Sequence, residues 1–376
     1  MQNKQIAKYF FSGRIGLIGI TMGCPVGIGP EIILRFMTKK KDFGQFLHIV
    51  VGDIDVLRRC AKELQVHIEI IPWQPGDPLN VEKLQVIEPE ADDGYFLHAE
   101  SLHWGESGKE TGQAAALYIT KAVQLINQGV LDAMVTCPIE KYAMQQAGYI
   151  FPGHTEMLAS LCNTKNYGMM MVGKQLRVSL VTIHTPLAKV PEQLSQDEII
   201  RVINLTGETL VRDFGISKPR IVVAGLNPHS GEAGLFGEEE RQVIEPAVSS
   251  AFLEKWDISG PLPPDTVFKK VIDNDYDAVV AMYHDQGLIP FKLLHFEDGV
   301  NLTMGLPIIR TSVDHGTAYD IAGKGLASAS SLEASFAMAA QIIANRNNYK
   351  RQVVVEGNPN SDVFVKKRIA SPKKIR

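Results

Sequence analysis

The strongest constraint on the fold is a series of short apolar runs separated by longer amphipathic stretches. Most of these runs are continuous rather than alternating, as expected for strands that are buried on both faces of a parallel sheet. The stretches 113–128 and 332–345 are apolar at helical spacing, and the first is followed by Gly129, a residue typical of helix C-termini. This alternation predicts an α/β fold with a mostly parallel sheet. The predicted strands are 15–21, 46–51, 133–136, 169–172, 178–183, 221–224 and 278–283.

Length and charge narrow the class of protein. The chain has 376 residues, which suffices for two ordinary domains, and 45% of them are hydrophobic and 21% charged. The formal net charge of −4 gives no general reason to expect a nucleic-acid partner, and no apolar run is long enough to predict a membrane span. The proline-rich segment 261–264 is interpreted as a turn rather than a linker. A basic C-terminal run is interpreted as a solvated tail and consists of Lys366, Lys367, Arg368, Lys373, Lys374 and Arg376.

The cysteines and the N-terminus indicate a reduced, cytoplasmic protein. The four cysteines, at 24, 60, 137 and 162, are far apart and form no Cys-x-x-Cys pair, which excludes the usual zinc and redox spacings. The N-terminal segment has the charge and the apolar run of a signal peptide. However, Gly16 and Gly19 interrupt that run and a glycine-rich loop follows it. We therefore interpret the run as a buried first strand.

Three of the ten histidines come at or just beyond the ends of predicted strands. His184 follows the strand 178–183, His229 follows 221–224 after a short turn, and His284 follows 278–283. Ligands of open α/β sheets bind outside the carboxyl ends of the strands, so these imidazoles are expected at one crevice. Three converging imidazoles suit Zn²⁺, Co²⁺ or Ni²⁺ better than Mg²⁺. The alternative is that each histidine is a hydrogen-bonded loop residue.

Candidate anion-binding residues cluster in the same part of the chain. Lys292, Asn301 and Arg310 fall within 20 residues of one another, among glycines and apolar residues. Arginine suits bidentate capture of phosphate or carboxylate, and lysine serves as a point charge. His154 and Thr155 open a predicted helix, and helix N-termini favour anions. The alternatives are surface charge for the first group and a helix-capping role for Thr155.

Several long, ordered segments carry a family resemblance. The chain resembles 4-hydroxythreonine-4-phosphate dehydrogenase, an enzyme of pyridoxal phosphate biosynthesis, over nearly its whole length. The segment 315–323 is also similar to the β-decarboxylating dehydrogenases of isopropylmalate and isocitrate, in which it lies at the adenosine of the dinucleotide. The segments that carry the family resemblance are 27–31, 136–139, 152–156, 227–232, 260–266, 281–287, 299–307 and 310–318.

The resemblance implies an architecture and an assembly. The fold would be of the isocitrate/isopropylmalate dehydrogenase type, with two α/β domains, mostly parallel sheets and a cleft between the domains. The first domain would comprise 1–138 plus 310–376, and the second would comprise 139–309 and carry the metal and phosphate residues. The protein would be a homodimer whose active sites use residues of both subunits, with no nucleic-acid or membrane partner.

The resemblance also assigns roles to individual residues. The metal ligands would be His184, His229 and His284. The substrate-binding residues would be His154, Thr155, Lys292, Asn301 and Arg310. The dinucleotide would contact His315, Gly316 and Asp320. Apart from the resemblance, the position of Asp285 beside His284 makes Asp285 our candidate for proton transfer or for support of that metal ligand, and Asp265 is the next candidate. The chain departs from the family at Cys24, where aspartate is usual, and at Ser328, within a segment that is usually Ala-Asp-Pro-Gly-Ser.

The reaction implied is the metal-dependent oxidation and decarboxylation of 4-phosphooxy-L-threonine by NAD or NADP, with one divalent metal ion (Zn, Co or Mg) per site. The alternative substrate is a related four-carbon sugar-acid 4-phosphate of the erythronate or threonate type. Two other classes of function remain open from the residues. A metal phosphohydrolase would use the histidines to activate water, and a non-catalytic sensor would bind the phosphate without turnover.

Overall fold

The described residues build one continuous sheet flanked by helices. The computed structural model describes residues 16–39, 42–90, 97–252 and 256–355, so the first residue of the predicted strand 15–21 and the basic C-terminal run lie outside them. The sheet has twelve strands within this part of the chain, in the order β3-β4-β2-β1-β5-β12-β11-β6-β7-β10-β8-β9. The strands are β1 Gly16–Thr21, β2 Phe46–Val51, β3 Ile70–Pro72, β4 Leu84–Ile87, β5 Ala133–Thr136, β6 Gly168–Val172, β7 Arg177–Leu180, β8 Arg220–Ala224, β9 Asp257–Leu262, β10 Ala278–Ala281, β11 Val300–Met304 and β12 Arg310–Val313.

The sheet is parallel except at its centre. β11 runs antiparallel to both β12 and β6, and β6 runs antiparallel to β7. All other neighbouring strands are parallel, and most strand residues are buried. Burial on both faces explains why the parallel strands are continuous apolar runs in the sequence. The predicted α/β class with a mostly parallel sheet is confirmed.

The helices begin where side chains or prolines favour a first turn. Asp53 caps α2 by accepting a hydrogen bond from the backbone N–H of Val56 at 2.8 Å, and Glu140 caps α4 through the N–H groups of Tyr142 and Ala143. The helices are α1 Gly29–Thr38, α2 Ile54–Glu63, α3 Lys109–Asn127, α4 Lys141–Gln146, α5 His154–Leu161, α6 Val190–Gln193, α7 Gln196–Arg212, α8 Glu245–Phe252, α9 Val267–Ile272, α10 His284–His295 and α11 Ser330–Val355.

The seven predicted strands are all present, with small differences at their ends. β7 ends at Leu180 and β10 at Ala281, two or three residues earlier than the apolar runs suggested. The prediction of a turn over 261–264 is wrong at its start, because Pro261 and Leu262 belong to β9. β9 is an edge strand with an irregular register opposite β8, and such positions tolerate proline.

The hydrophobic core consists of three clusters. The largest gathers residues of β1, β5, β6, β11 and α11, and the other two lie around β7, β8 and β10. The predicted domain boundaries fall just after β5 and in the turn between β11 and β12, where the sheet itself continues without interruption. The division into 1–138 plus 310–376 and 139–309 stays a prediction. Among the described residues, no helix combines the length and the apolar character needed to cross a bilayer.

Candidate active site

A cavity of about 370 Å³ lies beside the ends of four strands. Its walls include residues that lie one to four positions beyond the carboxyl ends of β5 and β12, in one half of the sheet, and of β7 and β10, which run in the opposite direction in the other half. The carboxyl ends of strands are where α/β sheets bind ligands. Most of the residues singled out from the sequence are brought together here. The predicted site residues that line the cavity are His154, Thr155, His184, His284, Lys292, Asn301, Arg310, His315 and Gly316. Those that do not line it are His229, Asp265, Asp285 and Asp320.

Two of the three predicted metal ligands form a pair at one wall. The ring centroids of His184 and His284 are 6.1 Å apart, and the ring planes are inclined at 36°. Nδ1 of His284 contacts Oδ1 of Asp285 at 2.7 Å, a contact that fixes the ring and leaves Nε2 free of this partner. Burial, with a smaller contribution from Lys141, lowers the pKa of His184. A lowered pKa favours the neutral imidazole, which is the form that binds a metal ion.

The third predicted ligand lies elsewhere. His229 is on the loop after β8, and its side chain is 68% exposed. Within the described ranges, no three His, Cys, Asp or Glu side chains are close enough together to hold a metal ion. One chain by itself therefore brings only His184 and His284 together.

The loop that carries His229 has an unusual backbone. His229, Ser230, Gly231, Glu232 and Ala233 all have left-handed backbone angles, with φ between 43° and 77°. This conformation costs a non-glycine residue roughly 1–2 kcal/mol. Four of the five residues are not glycine, so neighbouring contacts must hold the turn in place.

Arg310 is the main buried cation of the cavity. It is 2% exposed, and its guanidinium donates hydrogen bonds to Oγ1 of Thr136, at 3.1 and 2.8 Å, and to Oγ1 of Thr303 at 3.0 Å. Burial lowers the pKa of Arg310 to about 9, an effect that Glu156 partly offsets. A buried guanidinium that is held by hydroxyl groups is well suited to an anionic ligand.

Lys292, a second cation of the cavity, lies next to an acidic group. Its Nζ is 3.5 Å from Oδ1 of Asp314 and donates to the carbonyl oxygen of Asp314 at 3.3 Å. Burial raises the pKa of Asp314, and Lys292 opposes this effect. The lining of the cavity therefore includes two cationic groups, Arg310 and Lys292, and the half-buried carboxyl group of Asp314.

Several buried polar atoms of the cavity lack a hydrogen-bond partner. Such atoms are costly to bury, and in a binding site they indicate where ligand atoms belong. Burial, followed by Arg310 and Lys141, lowers the pKa of His154 well below its usual value, so its ring is neutral and can donate or accept one hydrogen bond at Nε2. The unpartnered atoms are Nε2 of His154, Oδ1 of Asn301, Oδ2 of Asp314 and Nε2 of His315.

The residues predicted to transfer protons do not face this cavity. Asp285 is exposed and contacts His284, and Asp265 is exposed at the start of the segment before α9. Asp320, predicted to contact the dinucleotide, is also exposed and accepts a hydrogen bond from Lys324 through its carbonyl oxygen. Their predicted roles stay predictions.

Sequence reasoning missed three charged residues of the cavity: Lys141, Glu156 and Asp314. The first two lie directly after or within segments that were singled out for the resemblance, and Asp314 directly precedes His315. Their neighbourhood in the sequence was the available signal. A charged residue in isolation gives no indication that it lines a cavity rather than the surface.

The two departures from the family pattern lie outside the cavity. Sγ of Cys24 is 3.4 Å from the hydroxyl oxygen of Tyr319, and burial raises the pKa of the thiol. The backbone N–H of Cys24 donates to the carbonyl oxygen of Pro138, which does line the cavity. Ser328 is exposed, with its hydroxyl 3.0 Å from that of Ser330.

Comparisons with known proteins show the family to which the chain belongs. A sequence profile of the family described as pyridoxal phosphate biosynthetic protein PdxA matches residues 45–339. The 4-hydroxythreonine-4-phosphate dehydrogenase of Desulfosudis oleivorans is 51% identical over 332 residues, which cover 86% of this chain and 95% of the relative. The D-threonate 4-phosphate dehydrogenase of Salmonella typhimurium is 41% identical and covers 86% of this chain and 98% of the relative.

A crystal structure supports the same grouping. The 4-hydroxythreonine-4-phosphate dehydrogenase from Klebsiella pneumoniae superimposes with a TM-score of 0.79 at 40% sequence identity, over 88% of this chain and 99% of the other. The chain therefore belongs to the family of the pyridoxal phosphate biosynthetic protein PdxA.

Proposed function

We propose that this protein is an NAD(P)-dependent, metal-dependent dehydrogenase that oxidises and decarboxylates 4-phosphooxy-L-threonine to 3-amino-2-oxopropyl phosphate and CO₂. The observation that carries the proposal is the cavity, in which a pair of imidazoles faces a buried guanidinium and four unpartnered polar atoms. This combination suits a small substrate that has a phosphate at one end and an oxidisable hydroxyl in the middle. Family membership supports the reaction class.

The phosphate and the carboxylate of the substrate require cationic partners. Arg310 supplies a fixed guanidinium, which suits a bidentate contact with phosphate, and Lys292 supplies a point charge. Neutral His154 and the side chain of Asn301 each offer one unpartnered buried atom to the same ligand. Thr155, the second residue of α5, adds a hydroxyl and a backbone N–H at a helix N-terminus.

The donor set fits a divalent transition metal. His184 and His284 supply two imidazole nitrogens from neighbouring strands, and Asp285 holds the ring of His284 through Nδ1. We propose that His229 of the partner subunit supplies the third nitrogen. Nitrogen ligands favour Zn²⁺ or Co²⁺ over Mg²⁺. When bound, the metal would lower the pKa of the substrate hydroxyl and stabilise charge on that oxygen after oxidation.

The dinucleotide would bind next to the same cavity. His315 and Gly316 line its wall, and Asp320 follows on the same exposed loop. When bound, the nicotinamide would accept a hydride from C3 of the substrate. The unpartnered Nε2 of His315 is the chain's own group available to a polar atom of the dinucleotide. Whether NAD or NADP is used follows from contacts to the ribose, which only binding measurements can report.

The chemistry also needs a base and an acid. The hydroxyl proton leaves when C3 is oxidised, CO₂ leaves with its bonding electrons remaining at C2, and C2 then takes up a proton. We propose that Asp285 orients the ring of His284 through their contact. Asp285 and, as the second choice, Asp265 are the candidates for proton transfer. Neither aspartate lines the cavity of its own chain, so a direct role would require the partner subunit or a moved loop.

A homodimer with shared sites is supported by an exposed apolar face. The helix α10 begins with His284 and carries large apolar side chains that are exposed in the single chain, including Leu293 at 82%. Exposed apolar patches of this kind mark association surfaces. Leu235 and Phe236, close to His229, are exposed as well. The exposed apolar residues at α10 are Ile289, Leu293, Leu294 and Phe296.

A second substrate class is favoured by one observation. Two relatives, at 44% and 41% identity, are named as a putative D-threonate 4-phosphate dehydrogenase and as a D-threonate 4-phosphate dehydrogenase. A sugar-acid phosphate carries a hydroxyl at C2 where phosphooxythreonine carries an amine. Glu156 and Asp314, the carboxylates of the cavity, would favour the amine.

We also propose a cytoplasmic location, which the four free cysteine thiols support.

One set of assays tests the proposal. Metal-loaded protein is incubated with NAD⁺ or NADP⁺ and with one of three substrates: 4-phosphooxy-L-threonine, D-threonate 4-phosphate or D-erythronate 4-phosphate. Reduced nicotinamide and CO₂ are measured. We expect stoichiometric CO₂ and reduced nicotinamide with the phosphooxythreonine. Release of inorganic phosphate without nicotinamide would establish a phosphohydrolase, and tight substrate binding without any product would establish a sensor. A higher kcat/KM for a sugar-acid phosphate would assign the alternative substrate.

A further inference from the structure

Glu240 is a buried acidic residue that lies outside the cavity. It is 2% exposed and lies on the segment Glu240–Ile244, which precedes α8. Its Oε1 accepts hydrogen bonds from the backbone N–H groups of Leu226 and Asn227 at 2.8 and 2.7 Å. Its Oε2 accepts a third from Nδ2 of Asn227 at 3.0 Å. One carboxylate thus holds the backbone and the side chain at the start of the loop that carries His229.

The same carboxylate fills the inside of the left-handed turn. A Cβ atom added at Gly231 would lie 2.7 Å from Oε2 of Glu240, so turn and carboxylate are in close contact. His229 and Ser230 adopt left-handed angles directly after the segment that Glu240 holds. Non-glycine residues adopt such angles only where the surroundings impose them. Glu240 is the buried polar group that meets this turn from within.

A second buried side chain ties the loop to the helix of His284. Nε2 of Gln286 donates to the carbonyl oxygen of Gly225 at 2.6 Å, and its Oε1 accepts from the backbone N–H of Met282 at 2.7 Å. Gln286 is the third residue of α10, which begins with His284. Two buried side chains therefore hold the start of the loop after β8. Gln286 binds Gly225, and Glu240 binds the residues 226 and 227.

We infer that Glu240 is a positioning residue, which sets the left-handed turn that presents His229 and thereby sets the affinity of the metal site to which His229 contributes. The inference rests on the proposed function only for the role of His229 as a ligand. Glu240 itself touches neither substrate nor metal. In Glu240→Gln one amide oxygen replaces two carboxylate oxygens, so the backbone N–H groups of Leu226 and Asn227 and Nδ2 of Asn227 cannot all keep this acceptor. The turn then relaxes towards conformations in which the imidazole of His229 points elsewhere.

The experiment compares Glu240→Gln with Glu239→Gln in the full chain. Oε2 of Glu239 also contacts Nδ2 of Asn227, at 2.8 Å, but no backbone group at the start of the loop, so it is a matched control. Hydrogen exchange of peptides that cover 225–234 is measured without metal. Co²⁺ affinity and the visible Co²⁺ spectrum are then measured on metal-free protein. Gly231→Ala, which displaces the carboxylate from the other side, serves as an independent second variant.

For Glu240→Gln and Gly231→Ala we expect faster exchange across 225–234, a Co²⁺ affinity lower by about tenfold or more, and an altered Co²⁺ spectrum. Exchange of β8 should be unchanged, and Glu239→Gln should resemble the wild type. Unchanged exchange at 225–234 in both variants overturns the inference, as does faster exchange with wild-type Co²⁺ affinity. If the wild-type protein itself binds no Co²⁺, the proposed function has failed, and the exchange measurement still decides whether Glu240 holds the turn.

Discussion

Arg310 donates two hydrogen bonds to a single hydroxyl group, Oγ1 of Thr136, from Nε at 3.1 Å and from Nη2 at 2.8 Å. The third bond goes to Oγ1 of Thr303. These contacts join the ends of β5, β11 and β12 around one cation. Because its partners in the protein are neutral hydroxyl groups, the guanidinium is fixed in direction while its charge stays available to a bound anion.

Arg310→Ala should raise the KM for the phosphorylated substrate by roughly 10- to 100-fold, because a charge-assisted contact with a dianion is lost. Steady-state kinetics with saturating dinucleotide measure the effect. Arg220→Ala, which removes a surface arginine paired with Asp277, is the control and should leave KM unchanged. An Arg310→Ala enzyme with the wild-type KM would remove Arg310 from the phosphate site.

Partly buried histidines make the free energy of unfolding depend on pH. His48 packs edge-on against Phe36, and burial lowers its pKa to about 4. In the unfolded chain its pKa is about 6.5, so between these values the unfolded state binds a proton that the folded state does not. The free energy of unfolding must therefore fall as the pH drops from about 6.5 to about 4, by up to about 1.4 kcal/mol per pH unit for this group. Burial lowers the pKa of His184 and His315 in the same direction.

His48→Phe keeps an aromatic ring at this position and removes the titrating group. Urea unfolding at a series of pH values should show a shallower decline below pH 6.5 for the variant than for the wild type. Above pH 7 the two proteins should differ only by a constant offset. Parallel curves over the whole range would show that His48 is protonated equally well in the folded state.

Much of the fold follows from periodicity alone. Strands such as β2 and β5 begin and end where the apolar runs do, because strands inside the sheet bury most of their side chains and are therefore apolar at most positions. Five of the described strands, β3, β4, β9, β11 and β12, escaped prediction. In β11 and β12, Asn301, Arg310 and Ser312 interrupt the apolar patterns. These polar residues line the cavity, so the positions that break the pattern belong to the candidate site.

The site itself was predictable only in part. That His184 and His284 would be neighbours follows from their places after β7 and β10, which are adjacent parallel strands. His229 follows β8, the next strand, yet the left-handed turn carries it away from the pair. A strand order and a sequence position cannot reveal such a turn, because it depends on a side chain, Glu240, eleven residues further along the chain.

The exposed apolar residues at α10 predict that the protein forms a homodimer through this helix. Leu293→Glu places a charge on the most exposed of these side chains and should shift the protein from dimer to monomer, with loss of turnover. Light scattering at the assay concentration measures the assembly. Leu187→Glu changes another exposed leucine, on the short turn Leu187–Lys189 outside α10, and should leave the dimer intact. A fully active Leu293→Glu monomer would refute sites that are shared between subunits.

Mixed dimers of histidine variants show which subunit supplies each of the three histidines of one site. If His184 and His284 come from one subunit and His229 from the other, then His284→Ala and His229→Ala homodimers are each inactive, while a heterodimer of the two has one complete site. Random exchange of equal amounts should restore about a quarter of wild-type activity, because half of the dimers are mixed and each has one working site of two. Chelation should abolish this activity, and Zn²⁺ or Co²⁺ should restore it.

Mixing His184→Ala with His284→Ala is the control: both changes affect the same half of the site, so every site in the mixed dimer lacks one ligand. No recovery in the test pair, despite heterodimers detected by native mass spectrometry, would show that His229 serves its own chain. Recovery in the control would show that His184 and His284 come from different chains.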